Sequence, residues 1–289
     1  MNARGIGEGS AAAGVAGSDS RALLEVRGLS KRFGGLVAVD ELDFDLYQGE
    51  ILGLIGPNGA GKTTTFGLIA GGLEATAGGI RFAGDSILGL APHEIAARGI
   101  MRTFQHNMPF PSMSVVENVL VGMHCSFGGG LWKILLSPRA AKQAESEARR
   151  RAAELVEFVG LLEFRDAEVS ALSFGQGRLL ETARALAGEP KLMLFDEPAA
   201  GLTLAECARL AEIIRGIAAR GIAVLLIEHD MNFLLRLAQR VVVLNFGRKI
   251  ADGAPEAIQS DAAVKDAYLG DSGVLGAAAA AGASARAPT

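Results

Sequence analysis

The stretch that decides the fold runs from Gly56 to Thr64 and reads GPNGAGKTT. It fits the phosphate-binding pattern G-x-x-x-x-G-K-S/T, with Gly56, Gly61, Lys62 and Thr63 at the four fixed positions. Glycines let the backbone fold tightly, so that successive N–H groups point inward as a nest for anions. Lys62 would reach the β- and γ-phosphates, and the Thr63 hydroxyl would bind magnesium. The sequence therefore predicts a nucleoside triphosphate site.

The segments on either side of this loop fit the same prediction. Ile51–Ile55 is an apolar run typical of a buried strand, and Thr64–Ala70 has helical character. A strand that leads through a glycine-rich loop into a helix is the context that such a motif requires.

Net charge and cysteine content indicate which classes of partner and which redox compartment fit this chain. The 289 residues carry a net charge of −4, so nothing indicates a nucleic-acid partner, which would leave a strongly basic footprint. The two cysteines, Cys125 and Cys207, lie far apart and suit a reducing cytosol. His106, His124 and Cys125 match no metal-site spacing, so we expect no structural metal there.

Hydropathy indicates a domain that does not span a bilayer. Mean hydropathy is +0.29, but the chain has no run of 18 apolar residues. Residues 1–20 are rich in Gly, Ala and Ser and lack the apolar centre of a signal peptide, and residues 271–289 form a similar Ala/Gly tail. We expect both segments to be disordered, with one folded domain over residues 21–270.

Two subdomains are expected around the central unit. Short alternating segments at Leu23–Val26, Asp43–Tyr47 and Gly79–Ala83 predict a β-rich subdomain. Gly99–Phe104 is a further strand candidate. The region of about residues 107–175 reads as a helical subdomain interrupted by a loop-like stretch between Gly128 and Pro138. Its amphipathic helix is indicated by apolar residues at helical spacing, namely Ala148, Leu155, Val156, Val159 and Leu162.

The last third of the domain alternates between strand and helix. Strands are predicted at Leu192–Phe195, Ala223–Ile227 and Val241–Leu244, with helices at Leu204–Arg220 and Met231–Leu237. This alternation is typical of an α/β fold with a mostly parallel sheet covered on both faces. Such sheets bind ligands at the carboxyl ends of their strands.

Two carboxylates follow one of these strands directly. Asp196 and Glu197 come after LMLF, and beside a triphosphate one acid can hold magnesium while its neighbour accepts a proton from water. We assign Asp196 to the metal and Glu197 to the base. The alternative is that adjacent acids merely begin a solvated turn.

The segment Leu172–Gln176 (LSFGQ) precedes a helical run that ends at Ala185 and Leu186. Serine and glycine at a helix start expose free N–H groups and the positive end of the helix dipole, which together attract anions. The alternative is a plain helix cap.

Taken together, these motifs resemble the ATP-binding cassette ATPases. This resemblance implies a RecA-like P-loop NTPase core with an antiparallel β subdomain and an inserted α-helical subdomain. The phosphate loop, Gln105, LSFGQ, LMLFDEP and His229 occur in that family's order and approximate spacing, and the match runs from about Leu23 to Leu269. Within the family, the phrases KRFGGLVAVD, RTFQH, DEPAAGL, IEHDM and AYLGD resemble the ATPase subunits of bacterial branched-chain amino-acid importers.

The resemblance implies four catalytic residues. Glu197 would be the base, His229 the switch histidine at the γ-phosphate, Gln105 the sensor of magnesium and water, and Lys62 the phosphate-binding cation. The alternatives are that Gln105 is an ordinary polar residue at a strand end and that His229 is a packed or surface histidine.

It also implies the residues that bind ATP and Mg²⁺. Phe33 would stack on adenine through its π face, although a core role stays open. The phosphate-loop contacts would come from Gly56, Pro57, Asn58, Gly59, Ala60, Gly61, Lys62, Thr63 and Thr64. The metal would be bound by Thr63, Gln105 and Asp196. Because two cassettes close head to tail in this family, Ser173, Gly175 and Gln176 would contact the nucleotide of a partner subunit.

Several positions depart from the family pattern. Phe174 replaces the usual second glycine of the signature, Gly177 and Leu179 stand where polar or basic residues are common, and Thr203 stands where many relatives carry an acid or Asn. Gly inside a helix costs about 1 kcal/mol relative to Ala. These changes could weaken closure of a dimer, but none removes a group that performs chemistry.

The sequence thus predicts an ATPase subunit of an importer for branched-chain or related amino acids. Its expected partners are a second cassette, identical or homologous, two transmembrane permease subunits whose coupling helix would meet Met108–Cys125, and indirectly a periplasmic solute-binding protein. It would lie on the cytoplasmic face of the inner membrane. The alternatives are an importer for another small polar solute, a lipopolysaccharide exporter, a cassette of DNA repair or translation, and a regulatory nucleotide binder without catalysis.

Overall fold

The computed structural model describes residues 21–103, 109–123 and 138–269. In chain order the strands are β1 (Leu24–Phe33), β2 (Leu36–Leu46), β3 (Ile51–Ile55), β4 (Ala77–Phe82), β5 (Asp85–Ser86), β6 (Ile100–Thr103), β7 (Leu192–Asp196), β8 (Ala223–Ile227), β9 (Arg240–Asn245) and β10 (Arg248–Gly253). The helices are α1 (Lys62–Ile69), α2 (Pro92–Ala97), α3 (Val115–Gly122), α4 (Pro138–Phe158), α5 (Phe174–Ala187), α6 (Leu204–Ala219), α7 (Met231–Leu237), α8 (Pro255–Ser260) and α9 (Ala262–Leu269).

Some of the sequence predictions concern residues outside this description. They are the predictions for Phe104 at the end of the strand candidate, for Gln105, for Met108 at the start of the coupling-helix region, for His106, His124 and Cys125, for residues 128–137, and for residues 1–20 and 271–289.

A six-stranded sheet forms the centre of the fold in the order β10-β9-β3-β8-β7-β6. All neighbouring strands are parallel except β10, which is antiparallel to β9. Each central strand divides its apolar residues between two cores, so that Met193 and Phe195 face one and Leu192 and Leu194 face the other. Burial on both faces explains why these strands read as continuous apolar runs, and the predicted α/β fold class is confirmed.

An antiparallel sheet in the order β2-β1-β4-β5 covers one face of the central sheet. Leu24 of β1 pairs with Leu46 of β2 and with Phe82 of β4. β1 continues to Phe33, seven residues beyond the predicted end at Val26. The register shifts between Val26 and Leu29, and this irregularity breaks the alternation on which the prediction relied.

Helices α3, α4 and α5 pack on the opposite core, where Val119, Val156 and Leu180 are fully buried. The amphipathic pattern predicted one helix continuing to Leu162, but α4 ends at Phe158. Gly160 takes a φ of 79°, which ends the helix, and Leu162 begins a short 3-10 turn with about half of its surface exposed.

The order β3-β8-β7 at the middle of the central sheet positions the candidate site. These strands run parallel, so their carboxyl ends lie side by side at one edge. Three loops therefore meet there, one after Ile55, one after Asp196 and one after Ile227.

Candidate functional site

The phosphate loop between β3 and α1 is held tightly against its neighbours. Gly61, the residue before α1, has a φ of 101°, and a Cβ atom there would lie 2.4 Å from the carbonyl oxygen of Ala38. The carbonyl oxygen of Ala60 accepts a hydrogen bond from the Gly247 N–H at 3.1 Å. Only glycine fits at position 61, because both the backbone conformation and the close approach exclude a side chain.

Lys62 is the first residue of α1 and is almost completely buried. Its ammonium group donates hydrogen bonds to the carbonyl oxygens of Gly56 at 2.7 Å and Pro57 at 2.9 Å. Burial lowers the pKa of Lys62, while the negative charges of Glu197 and Asp196 partly oppose this shift. A largely buried ammonium beside a glycine-rich loop at the start of a helix is well suited to bind a phosphate anion.

A cleft of about 360 Å³ opens over this loop. The residues that line it are Phe33, Leu36, Val37, Ala38, Asn58, Gly59, Ala60, Gly61, Lys62, Thr63, Thr64, Glu197 and His229. Predicted binding residues from three parts of the sequence therefore share one cleft. Phe33 is about half exposed at its rim, and the Lys31 ammonium lies 4.9 Å from the centre of the Phe33 ring.

Asp196 and Glu197 have different surroundings although they are adjacent. Asp196 ends β7 in a buried position, and its Oδ2 accepts a hydrogen bond from Arg102 Nη2 at 2.7 Å. Glu197 lies among the cleft residues and has a φ of 49°, which is unusual for a residue with a side chain. The Glu197 N–H donates to the carbonyl oxygen of Ile227 at 2.9 Å, which fixes this backbone conformation.

The carboxylate of Glu197 contacts the imidazole of His229. Glu197 Oε1 and His229 Nε2 lie 2.6 Å apart, although the two residues come from different strand ends. The His229 ring is half exposed to the cleft, whereas the Glu197 carboxylate is three-quarters buried. The structure therefore brings the two predicted catalytic side chains into direct contact at the phosphate end of the cleft.

Glu228 was not among the predicted site residues, yet it is a buried acid next to His229. Its Oε1 accepts the Ala199 N–H at 2.7 Å, and its Oε2 accepts the His229 N–H at 3.2 Å. The only sequence signal for it was an acid that directly follows the apolar strand AVLLI. An acid in that position reads as the start of a solvated loop, and its backbone partners are not visible in the sequence.

The signature segment lies apart from this cleft. Ser173 caps α5, since its hydroxyl accepts the Gln176 N–H at 3.2 Å, while Gln176 Oε1 accepts the Ser173 N–H at 2.8 Å. Phe174 is mostly exposed, and the Arg178 guanidinium lies 5.2 Å from its ring centre. Neither Ser173, Gly175 nor Gln176 is among the residues that line the cleft.

The protein oxygens near the cleft could bind a magnesium ion only together with the phosphates of a nucleotide. Within the described part of the chain, no three His, Cys, Asp or Glu side chains form a metal-binding group. Mg²⁺ commonly binds through one or two protein oxygens together with substrate phosphates. Thr63 lines the cleft and carries a hydroxyl oxygen, whereas Asp196 is not among the cleft residues and its Oδ2 accepts a hydrogen bond from Arg102. Gln105 lies outside the described residues.

Two family models match the chain. One, described as ABC transporter, matches residues 39–200, which include the phosphate loop, LSFGQ and Glu197. The chain belongs to the ABC transporter family of ATP-binding cassettes. The second model, described as branched-chain amino acid ATP-binding cassette transporter, matches residues 248–274 of this cassette. The resemblance inferred from the motifs is confirmed.

Individual relatives agree with the family. The high-affinity branched-chain amino acid transport ATP-binding protein LivG of Escherichia coli K12 is 43% identical over 253 residues, which cover 87% of this cassette and 99% of that protein. The crystal structure of the ADP conformation of MJ1267, an ATP-binding cassette of an ABC transporter, superimposes with a TM-score of 0.76 at 31% identity. The superimposed region covers 87% of this cassette and 100% of the MJ1267 chain.

The exporter alternative has weaker support. The lipopolysaccharide export system ATP-binding protein LptB of Acidithiobacillus ferridurans is 34% identical over 249 residues, which cover 86% of this cassette and 97% of that protein. Its identity is lower than that of LivG, and the match at residues 248–274 is to the branched-chain family. Among the described residues, no helix of this cassette is both long and apolar enough to cross a bilayer.

Proposed function

We propose that this cassette hydrolyses Mg·ATP and thereby powers an importer of branched-chain amino acids. The observation that carries the hydrolytic part is the 2.6 Å contact between Glu197 and His229 over the phosphate loop. A carboxylate and an imidazole that converge on the γ-phosphate end of a nucleotide cleft can orient a water molecule and accept its proton. The substrate class follows from the likeness to LivG and from the match at residues 248–274.

The roles of the phosphate-loop residues follow from their positions. Backbone N–H groups within the stretch Asn58–Thr64 and the Lys62 ammonium would bind the phosphates, with Phe33 against adenine at the rim of the cleft. Lys62 would exchange its carbonyl partners for phosphate oxygens. Thr63, Asp196 and Gln105 would hold the magnesium ion, which supplies positive charge against the charge that develops during phosphoryl transfer.

Glu197 would act as general base and His229 as its partner at the γ-phosphate. Glu197 is fixed from both sides, by its N–H on the Ile227 carbonyl and by its carboxylate on His229. Fixed groups need little reorganisation as the reaction proceeds, which is why such positioning accelerates it. His229, with its half-exposed ring, is free to contact a nucleotide that enters the cleft.

A complete site would need a second cassette. The signature residues Ser173, Gly175 and Gln176 lie outside the cleft of their own chain, so a partner's nucleotide is their proposed target. We propose a head-to-tail dimer on the cytoplasmic face of the inner membrane. Two permease subunits would bind it there, and a periplasmic solute-binding protein would act through them.

The test is reconstitution of the cassette with the permease subunits in proteoliposomes. We expect leucine uptake that requires ATP on the cassette side, and Glu197→Gln should lower turnover by roughly 10²–10⁴-fold while ATP still binds. Glu212→Gln, an exposed acid on α6, is the matched control and should keep wild-type turnover. Wild-type turnover in Glu197→Gln would contradict the base assignment, and uptake of another solute class alone would contradict the substrate.

A further inference from the structure

Glu228 joins the two loops that carry the proposed catalytic pair. One oxygen of its carboxylate accepts a hydrogen bond from the N–H of Ala199, two residues after Glu197. The other oxygen accepts a hydrogen bond from the N–H of His229. Glu228 is 5% exposed, so its carboxylate is largely shielded from bulk solvent. A single buried side chain thus receives hydrogen bonds from both loops.

These bonds close a small ring. The loop after β7 is held to the end of β8 by the hydrogen bond from the Glu197 N–H to the Ile227 carbonyl oxygen, at 2.9 Å. It is tied a second time by Glu228, and the 2.6 Å contact from Glu197 to His229 completes the ring on the cleft side. If the Glu228 bonds were lost, the two loops could move apart and the carboxylate–imidazole distance would be free to change.

The fold keeps this carboxylate at a cost. Burial raises the pKa of Glu228, the N–H groups of Ala199 and His229 act in the opposite direction, and the nearby charge of Glu197 raises it further. An apolar residue at the end of β8 would avoid this cost, because the strand is otherwise fully buried and apolar. The two loops present separate backbone N–H donors, and a side chain with two acceptor oxygens can bind both at once. This is a reason for an acid at position 228.

The same contact affects the loop Ala199–Thr203, which leads into α6. Ala199 is its first residue, and its N–H is held by Glu228. Cys207 lies against the loop from α6, with its sulfur 4.0 Å from the carbonyl oxygens of both Ala199 and Leu202. Glu228 therefore fixes one end of this loop as well as the backbone of His229.

We propose that Glu228 is a positioning residue for ATP hydrolysis, which holds the His229 imidazole against the Glu197 carboxylate by bridging the two loops behind them. This inference rests on the proposed function, because it assumes that Glu197 and His229 act on ATP. It predicts an effect on turnover rather than on nucleotide binding, since Glu228 does not line the cleft.

The central test compares Glu228→Gln with Glu50→Gln. Glutamine keeps the volume of the side chain but has one oxygen, so either Ala199 or His229 loses its acceptor. Glu50 is the matched control, because it is also a poorly exposed carboxylate that accepts a backbone N–H, from Tyr47 at 2.8 Å, but it lies before β3 at the opposite edge of the sheet. We expect Glu228→Gln to lower kcat about 10- to 100-fold and to change the Kd for Mg·ATP less than about 3-fold. Glu50→Gln should leave both unchanged.

A double-mutant cycle with His229→Ala separates positioning from general stability. If Glu228 acts through His229, then Glu228→Gln should cost less than about 3-fold in single-turnover rate once His229 is absent. A loss of the same factor in both backgrounds would overturn the proposal, and so would an unchanged kcat or a Kd that rises in step with the fall in kcat. If Glu228→Gln fails to fold, Glu228→Asp takes its place in the same cycle, because aspartate keeps the charge but is too short to reach both loops. The expected result is again a lower kcat with little change in the Kd for Mg·ATP, and a smaller effect once His229 is absent.

The wild type and Glu197→Gln are run in the same assay. If the wild type hydrolyses ATP and Glu197→Gln does not, an unaffected Glu228→Gln overturns only the positioning role. If the wild type shows no hydrolysis with its permease, the proposed function and this inference fall together.

Discussion

Gly61 shows how strongly one backbone position can specify a site. Its φ of 101° lies in the region that glycine enters freely, and its Cα faces the Ala38 carbonyl oxygen so closely that a methyl group would reach 2.4 Å from it. The residue therefore sets both the curvature of the phosphate loop and its contact with β2. Gly59, two residues earlier, has a similar φ of 77° but no atom within 4 Å of its would-be Cβ.

We predict that Gly61→Ala lowers the free energy of unfolding by roughly 3 kcal/mol, because backbone strain adds to a steric clash. Gly59→Ala should cost about 1 kcal/mol, since strain alone remains. Urea unfolding of the two variants beside the wild type measures the difference. Equal losses in the two variants would show that the contact with Ala38 is unimportant.

The sequence predicted the site residues best where function is encoded locally. The phosphate loop was predicted from its own glycine and lysine pattern, and Asp196 and Glu197 were predicted from their position at the end of a short buried strand. Contacts between distant residues left no such signal. The ion pair of Asp196 with Arg102 joins residues 94 positions apart, and the bond from Ala199 to Glu228 joins residues 29 positions apart.

At the level of elements, the missed segments are those with little apolar surface or broken alternation. Strand β10 was not predicted because it is an edge strand whose residues are exposed or half-buried. Helices α8 and α9 are short and contribute few buried residues, chiefly Ile258 and Val264. The buried central strands, in contrast, were placed to within one or two residues, because a continuous apolar run between turn residues is a clear signal.

The structure gives a reason for threonine at position 203, which the comparison of motifs did not reveal. Its hydroxyl accepts the Glu206 N–H at 3.3 Å, and Glu206 Oε2 accepts the Thr203 N–H at 2.8 Å, so the pair forms a capping box at the start of α6. We predict that Thr203→Ala lowers the free energy of unfolding by about 1 kcal/mol. Thr203→Ser, which keeps the hydroxyl, is the control and should unfold like the wild type in chemical denaturation. Equal stability of all three proteins would contradict a capping role.

Tyr268 of α9 gives the last helix a pH dependence that can be measured. Burial raises the pKa of its hydroxyl from 10.0 to about 12, and a backbone hydrogen bond from Gly56 partly opposes the shift. Between these two pH values the folded state retains a proton that the unfolded state loses. The contribution of Tyr268 to stability is therefore complete below about pH 10 and is lost as the pH rises toward 12.

We predict that the wild type loses up to about 2–3 kcal/mol more than Tyr268→Phe when the pH is raised from 10 to 12. The free energy of unfolding of the two proteins, measured across this range, gives the difference directly. The chain has only two tyrosines, so Tyr47→Phe is the natural control for the removal of one tyrosine hydroxyl. Parallel curves for wild type and Tyr268→Phe would mean that the hydroxyl is not buried in solution.

On the scale of the whole molecule, the ATP-binding cleft and the signature segment are separate surfaces. The cleft is formed by loops at the carboxyl edge of the central sheet and by β1 and β2, whereas Ser173 caps α5 in the helical part. A chain that carries both surfaces without joining them can complete two sites when two copies meet head to tail. This arrangement yields a prediction that does not depend on the transported solute.

We predict that Lys62→Ala and Ser173→Arg chains are each inactive alone and regain activity when mixed. In a mixed dimer, the intact phosphate loop of the Ser173→Arg chain would face the intact signature of the Lys62→Ala chain, so one site is complete. Random pairing of equal amounts makes half the dimers mixed, each with one working site of two, so about a quarter of wild-type turnover is expected.

The Lys191→Ala chain, altered at an exposed lysine before β7, replaces Lys62→Ala in the control mixture. That control should give more activity than the test mixture, because every Lys191→Ala chain keeps both surfaces. Phosphate release that stays at background in the test mixture would show that a second copy of this chain does not complete the site.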